Sequence, residues 1–275
     1  MRVKFTDLRG IRTRFYEAGE GEPVVFIHGG GAASDTWSRN VGTVGEICRA
    51  LAPDLIGHGF TDAKDFAGRT PHAVQIEHLF RFLDDQAPGP VTLVGSAFGA
   101  LLAVLMYFES PARVKRLALV GSGSVFDSAE RQAKIVRDSV SNQSRALDDP
   151  TPETIRARNI GSNYNKKDTF EEIVLLQLTA FALPGRKETY RHMTDGMRNA
   201  VHDPGLRVTD RLDQIRVPTL VVTGREDPRA DWREVKKGAS QIPDCAFHLF
   251  DACGHKPFSE QAVKFNDVLS RFVVS

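Results

Sequence analysis

The chain has 275 residues, enough for one large α/β domain carrying an insertion or for two domains. Hydrophobic residues make up 41% and charged residues 26%, an ordinary globular composition, and a net charge of +1 supplies no field for nucleic acid or a membrane surface. The scattered cysteines Cys48, Cys245 and Cys253 lack metal spacing and suit a reducing cytoplasm. No signal peptide is visible at the start, and the longest apolar run, 98–108, falls short of the roughly 20 residues that span a bilayer.

Residues 2–7 and 11–17 alternate around Leu8-Arg9-Gly10 and predict an N-terminal hairpin. Pro23-Val24-Val25-Phe26-Ile27 is a continuous apolar run, the pattern of a strand buried on both faces, and it ends in His28-Gly29-Gly30-Gly31. Residues 47–52 predict a weaker strand closed by Pro53-Asp54. Val74, Ile76, Leu79, Phe80 and Leu83 recur at helical spacing within 71–86. A strand at 91–94 feeds a helix from Phe98, and 114–120 is a further strand closed by Gly121-Ser122-Gly123. From 124 to 205 strands vanish and polar helical patterns take over at 130–140, 152–158, 169–182 and 187–200. A buried strand returns at 217–223, another follows at 246–250, and 262–273 reads as an amphipathic closing helix. Strands alternating with helices predict a mostly parallel sheet covered on both faces. The expected division is a core domain at 1–123 and 206–275 and a helical cap at 124–205.

Candidate site residues fall where ligands sit in open α/β sheets, at the carboxyl ends of strands. Gly95-Ser96-Ala97-Phe98-Gly99 stands between strand and helix and has the frame of a nucleophile elbow, with small residues two before and two after position 97. Alanine occupies the centre. Ser96 is no substitute, because its own flanking positions are Val94 and Phe98. The glycines after His28 free backbone amides to hold an oxyanion, and Gly30 and Phe98 are the expected donors. Asp227, just past a buried strand and the Gly224 turn, is the expected acid, in preference to Glu226. His255, after the last strand, is the expected base. His58, His72, His78, His192, His202 and His248 read as solvated and inert. The order nucleophile position, acid, base is the one this architecture uses.

Taken together, His28-Gly29-Gly30-Gly31, Asp54-Leu55-Ile56-Gly57-His58-Gly59-Phe60-Thr61-Asp62, the elbow, Gly224 to Asp227 and Gly254-His255 resemble the α/β-hydrolase family over nearly the whole chain. The resemblance implies an eight-stranded sheet with the cap inserted after the sixth strand. Residues 28–37 and 111–120 are most similar to the meta-cleavage-product hydrolases, which cleave a carbon–carbon bond in vinylogous diketo acids of aromatic degradation. That likeness implies a serine-type hydrolase, with an ester or lactone hydrolase, a ligand-binding protein and a cofactor-free oxygenase as the alternatives. Those enzymes usually carry Asn where this chain has Ser96 and Trp where it has Lys256. Their cap arginine, which holds the substrate carboxylate, falls near Gln177, with Arg158 and Arg186 as alternatives.

Gly29, Gly31, Trp37, Ser96, Gln177 and Lys256 are the expected substrate contacts. Phe258 lies beside the site, and Phe126, Phe170, Leu175, Leu178, Phe181 and Leu183 are candidates for an apolar lining of the cap. Because acid, base and oxyanion glycines are all present, Ala97 reads as an engineered replacement of a native serine that leaves the site inactive, with a natural non-catalytic member of the family as the alternative. The expected partner is a small apolar or aromatic molecule bearing a carboxylate or ester. No cofactor, metal, nucleic acid or membrane is expected, and a homodimer is compatible with the chain.

Overall fold

A computed structural model describes the backbone of residues 1–275 and every side chain except those of residues 140, 142 and 143. Eight strands form one sheet: β1 (Arg2–Asp7), β2 (Arg12–Ala18), β3 (Pro23–Ile27), β4 (Arg49–Pro53), β5 (Val91–Ser96), β6 (Val114–Val120), β7 (Thr219–Gly224) and β8 (Cys245–Phe250). Their order is β1-β2-β4-β3-β5-β6-β7-β8. The hairpin joins antiparallel, as does β2 to β4, and every later joint is parallel. The fourth strand starts two residues later than its apolar run, because Ile47 lies in a turn, with its amide donating to Val44 O at 3.2 Å, and is exposed.

The apolar runs are continuous because alternate residues enter different cores. Val25, Ile27, Leu93, Leu117, Leu119 and Val221 face one core, with Leu79, Phe82 and Leu102 of the covering helices. Val24, Phe26, Val94, Ala118, Val120 and Val222 face the other, with Trp37, Phe258, Phe265 and Leu269. A strand's two-residue period therefore buries every position once both faces are covered. The covering helices α1 (Pro71–Gln86) and α2 (Phe98–Glu109) lie on the first face. Thr70 caps α1 by accepting the Ala73 amide at 3.3 Å, with Pro71 in the first turn.

Between β6 and β7 the chain forms α3 (Ala129–Asp148), α4 (Pro152–Ile160), α5 (Glu171–Phe181) and α6 (Arg186–Ala200). The first of these runs well beyond the pattern at 130–140. Ser128 caps its start by accepting the Arg131 amide, and Ala146 and Leu147 bury its last turn. A reciprocal Thr151–Thr154 capping box starts α4. Among the described residues no helix is long and apolar enough to cross a membrane.

A buried polar hub fixes the loops after β3 and β4. The Arg14 guanidinium donates to Asp54 at 2.7 and 3.0 Å and to Asp35 at 2.8 and 3.1 Å. Asp54 also accepts the amides of Ser34 and Phe60, each at 2.8 Å. Burial alone would raise the Asp54 carboxyl, but Arg14 holds it below the ordinary carboxylate range. This explains the stretch from Asp54 to Asp62: it is a folded turn wrapped on one buried charge.

Two histidines belong to the same scaffold. His28 Nε2 accepts the Leu55 amide at 3.0 Å, and His58 Nε2 accepts the Gly31 amide at 3.2 Å. Their Nδ1 atoms face the carbonyls of Gly29 and Ile56, so each ring is the neutral tautomer with its proton on Nδ1. The expectation that His58, His72 and His78 are solvated is corrected, since all three are buried. Burial lowers them, His58 to about 3 and His72 and His78 to about 4. His192, His202 and His248 are not buried.

Two outcomes follow from the hub and the rings. Asp54→Ala leaves Arg14 with Asp35 as its one carboxylate and strands the buried Nε and the amides of Ser34 and Phe60, so the urea midpoint should drop by the equivalent of about 3–5 kcal/mol. The buried histidines make stability fall on acidification. Unfolded, they take up protons below about pH 6.5, while folded they do not until about pH 4 or lower, so the unfolded state binds more protons in that window. Each contributes a slope of up to about 1.4 kcal/mol per pH unit. Urea midpoints measured from pH 7 to pH 4.5 should fall steadily, and His78→Leu should flatten the decline.

Candidate active site

The elbow is built by close approach. A Cβ on Gly95 would sit 2.4 Å from the Gly99 carbonyl oxygen, and one on Gly99 would sit 2.3 Å from the Ile27 carbonyl oxygen. Only glycine at both positions lets α2 start directly against β3 and β5. The turn holds Ala97 at φ +50 and ψ −115, a backbone conformation costly for a residue with a Cβ. Its amide donates to Val120 O at 3.0 Å, and its carbonyl accepts Ser124 Oγ at 2.8 Å.

The loop after β3 lies alongside. A Cβ on Gly29 would be 3.4 Å from the Ala97 Cβ, and one on Gly30 would be 3.8 Å from the Phe98 Cβ. Among the described residues the amides of Gly30 and Phe98 have no hydrogen-bond partner, and both residues line the cavity beside Ala97. Phe98 opens α2, whose first-turn amides have no partner within the helix. Gly31 stands apart: His58 takes its amide, Arg158 takes its carbonyl, and it does not line the cavity.

Asp227 and His255 meet at the far end of the sheet. His255 Nδ1 lies 2.9 and 3.0 Å from the two carboxylate oxygens, with both side chains buried. That contact puts the ring proton on Nδ1 and leaves Nε2 for chemistry. The Arg229 amide donates to Asp227 Oδ1 at 2.8 Å. Glu226 braces the neighbouring loop by accepting the Cys253 amide. The inserted helices help set the base, since the His255 amide donates to Ser162 O at 2.8 Å. Sequence reasoning missed Asp127, a second buried carboxyl. Burial raises it to about 6 against the pull of Arg131, and the charge of Asp227 adds to the rise. An acid seven residues past the end of β6 was the available signal.

Ala97, Gly30, Arg229 and His255 are shared by two chambers. One, of about 120 Å³, is mostly apolar and is bounded by Phe98, Leu101, Val136, Tyr190, Met193 and Met197. The other, of about 80 Å³, is polar and is bounded by Ser96, Arg158, Asn159, Gln177 and Lys256. In it, Arg158 Nη1 donates to Gln177 Oε1 at 2.9 Å, and Lys256 Nζ donates to Asn159 Oδ1 at 3.0 Å. Burial lowers Arg158 to about 10, so it stays charged at neutral pH. Burial, with Arg229 and Arg158 alongside, lowers Lys256 to about 7. Among the described residues no His, Cys, Asp and Glu cluster is placed to hold a metal ion.

Several expected contacts move. Trp37 does not line either chamber. It is fully buried, with its ring 4.3 Å from that of Phe258, because the same apolar bulk that suggested a lining packs the second core. Phe258 borders the polar chamber. Of the six apolar residues expected to line the cap, only Phe170 borders either chamber. Phe126 belongs to the first core, Leu178 and Phe181 pack within the inserted helices, and Leu175 is exposed. Arg186 is buried but borders neither chamber.

Comparison with known proteins bears on the family and the fold. The profile of the Alpha/beta hydrolase family matches residues 24–268. The 2-hydroxymuconate semialdehyde hydrolase of Pseudomonas putida is 30% identical over 270 residues, covering 96% of this chain and 91% of that protein. The 2-hydroxy-6-oxo-6-phenylhexa-2,4-dienoate hydrolase of Comamonas testosteroni is 27% identical over 284 residues, covering 99% and 94%. Among solved structures, the S103A mutant of the meta-cleavage product hydrolase CumD from Pseudomonas fluorescens superimposes with a TM-score of 0.78 at 24% identity, covering 98% and 97%. The chain belongs to the alpha/beta hydrolase family.

Proposed function

We propose that this chain is the scaffold of a carbon–carbon bond hydrolase for vinylogous diketo acids, with Ala97 standing in place of a nucleophilic serine. The observation that carries the reading is the meeting of an apolar and a cationic chamber at Ala97 and His255. A substrate with a carboxylate at one end and an apolar group at the other would place its central bonds at that junction. The names of the relatives describe such molecules, dienoates and a muconate semialdehyde. Residues 124–205 act in this reading as a cap that supplies one wall of both chambers. The free thiols of Cys48, Cys245 and Cys253 suit work in a reducing cytoplasm.

With a hydroxyl at position 97, His255 Nε2 takes its proton while Asp227 holds the imidazole tautomer and stabilises the imidazolium. The oxygen attacks the ketone carbon, and the Gly30 and Phe98 amides hold the resulting oxyanion. The carbon–carbon bond breaks with its electron pair passing into the conjugated keto acid, which takes up a proton. Water then displaces the acyl group from the oxygen and releases a carboxylic acid. Alanine stops the sequence at the first step.

Ala97→Ser should raise turnover of a 2-hydroxy-6-oxodienoate by about a thousandfold or more over the unaltered chain, followed by loss of the dienoate absorbance. No turnover of any acyl substrate by that variant would overturn the reading. In the same background, Arg158→Gln should raise KM for the carboxylate substrate by about tenfold or more. A neutral p-nitrophenyl ester, which needs no cation at that end, should keep its KM.

A further inference from the structure

Lys256 is placed unlike a structural lysine. The carboxylate four residues on, Glu260, is already taken by three backbone amides, those of Lys256 and Gly254 at 2.9 Å and Tyr164 at 2.8 Å. Among the described residues Nζ therefore has no ion pair, and its partner is the neutral Asn159 Oδ1. Two guanidiniums line the same chamber, Arg158 from α4 and Arg229 from the loop after β7. Asp227 is spoken for by His255, and Asp168 also lines the chamber. Three cations thus share one chamber, and among the described residues no carboxylate pairs with the amine. Arginine does not surrender its proton near neutral pH, so the lysine is the group that sheds charge. An amine desolvated beside other cations is a nucleophile.

We propose that Lys256 forms an imine with the carbonyl of a 2-oxo acid whose carboxylate sits against Arg158 and Arg229. Nζ attacks the carbonyl carbon and a carbon–nitrogen bond forms. The carbon–oxygen bond then breaks, and the oxygen leaves as water with the two protons of the neutral amine. A further proton charges the imine, and nothing is oxidised or reduced. His255 lines the same chamber and is placed to carry a proton. This chemistry needs no hydroxyl at position 97, so it extends beyond the hydrolase reading and stands or falls apart from it. It also gives a physical reason for a lysine directly after the base histidine, where bulk alone would fill the space.

The lowered Lys256 holds about a thousandfold more free amine at pH 7 than an ordinary lysine. The test uses the unaltered protein, incubated at pH 7 with pyruvate and sodium cyanoborohydride, digested, and mapped by mass spectrometry. The reduced adduct should appear on Lys256 at least about tenfold faster than on the exposed Lys236 and Lys237, with a half-maximal rate near pH 7. Acetone, which lacks the carboxylate, should label Lys256 more slowly than pyruvate, and Lys256→Arg should abolish the site-specific adduct while leaving surface labelling unchanged. Labelling of Lys256 no faster than of Lys236, or equal labelling by acetone and pyruvate, would overturn the proposal. Because the adduct is mapped on the unaltered chain, a misfolded variant cannot mimic its absence, and turnover by Ala97→Ser is a separate outcome.

Discussion

The site depends on one backbone constraint, the turn that holds residue 97 at positive φ between β5 and α2. That conformation costs an alanine on the order of 1–3 kcal/mol and persists only because its surroundings over-determine it. Gly95 and Gly99 let helix and strand come within contact distance of each other, and the Val120 carbonyl holds the Ala97 amide. The same turn leaves the Phe98 amide unpaired beside Gly30. The elbow thus aims the side chain of residue 97 and leaves an amide free beside Gly30, with alanine at its centre.

The other parts are set by neighbouring loops, each with its own anchor. Arg14 and Asp54 fix the turn after β4, which brings His58 to the Gly31 amide and the Leu55 amide to His28 at the start of the glycine loop. Neutral imidazoles suit this role, since each accepts one amide and donates to one carbonyl without adding charge beside the Gly30 and Phe98 amides. On the opposite side, the inserted helices hold the His255 loop through Ser162 and bring Arg158 and Gln177 over the polar chamber. Positive charge is concentrated on one side of residue 97 and apolar surface on the other.

Much of this was legible in the sequence, and the physical reason is local. A parallel strand buried on both faces must be apolar throughout, so β3, β5, β6 and β7 announce themselves, and a glycine-framed turn at a strand end announces the elbow. Asp227 was separable from Glu226 because one more residue past β7 changes which neighbour the side chain meets. The misjudged positions share a cause. Trp37, Phe126 and Leu178 are apolar in the right places, yet sequence pattern does not distinguish a wall that faces a cavity from one that faces a core. His58, His72 and His78 read as solvated because histidine is polar, while the partners that bury them lie far away in sequence. Arg229 escaped notice for the same reason: it becomes a cavity residue only when the loop after β7 folds over Asp227.

The central claim is that a substrate lies across the junction at residue 97, with its carboxylate in the cationic chamber. The most direct measurement is a crystal structure of the unaltered chain soaked with a 2-hydroxy-6-oxodienoate, which alanine leaves uncleaved. The account predicts the carboxylate against Arg158 and Arg229, the apolar end near Met193 and Tyr190, and the ketone oxygen about 3 Å from the Gly30 and Phe98 amides. A ligand bound in the reverse orientation, or one whose ketone lies away from Ala97 and His255, would contradict it.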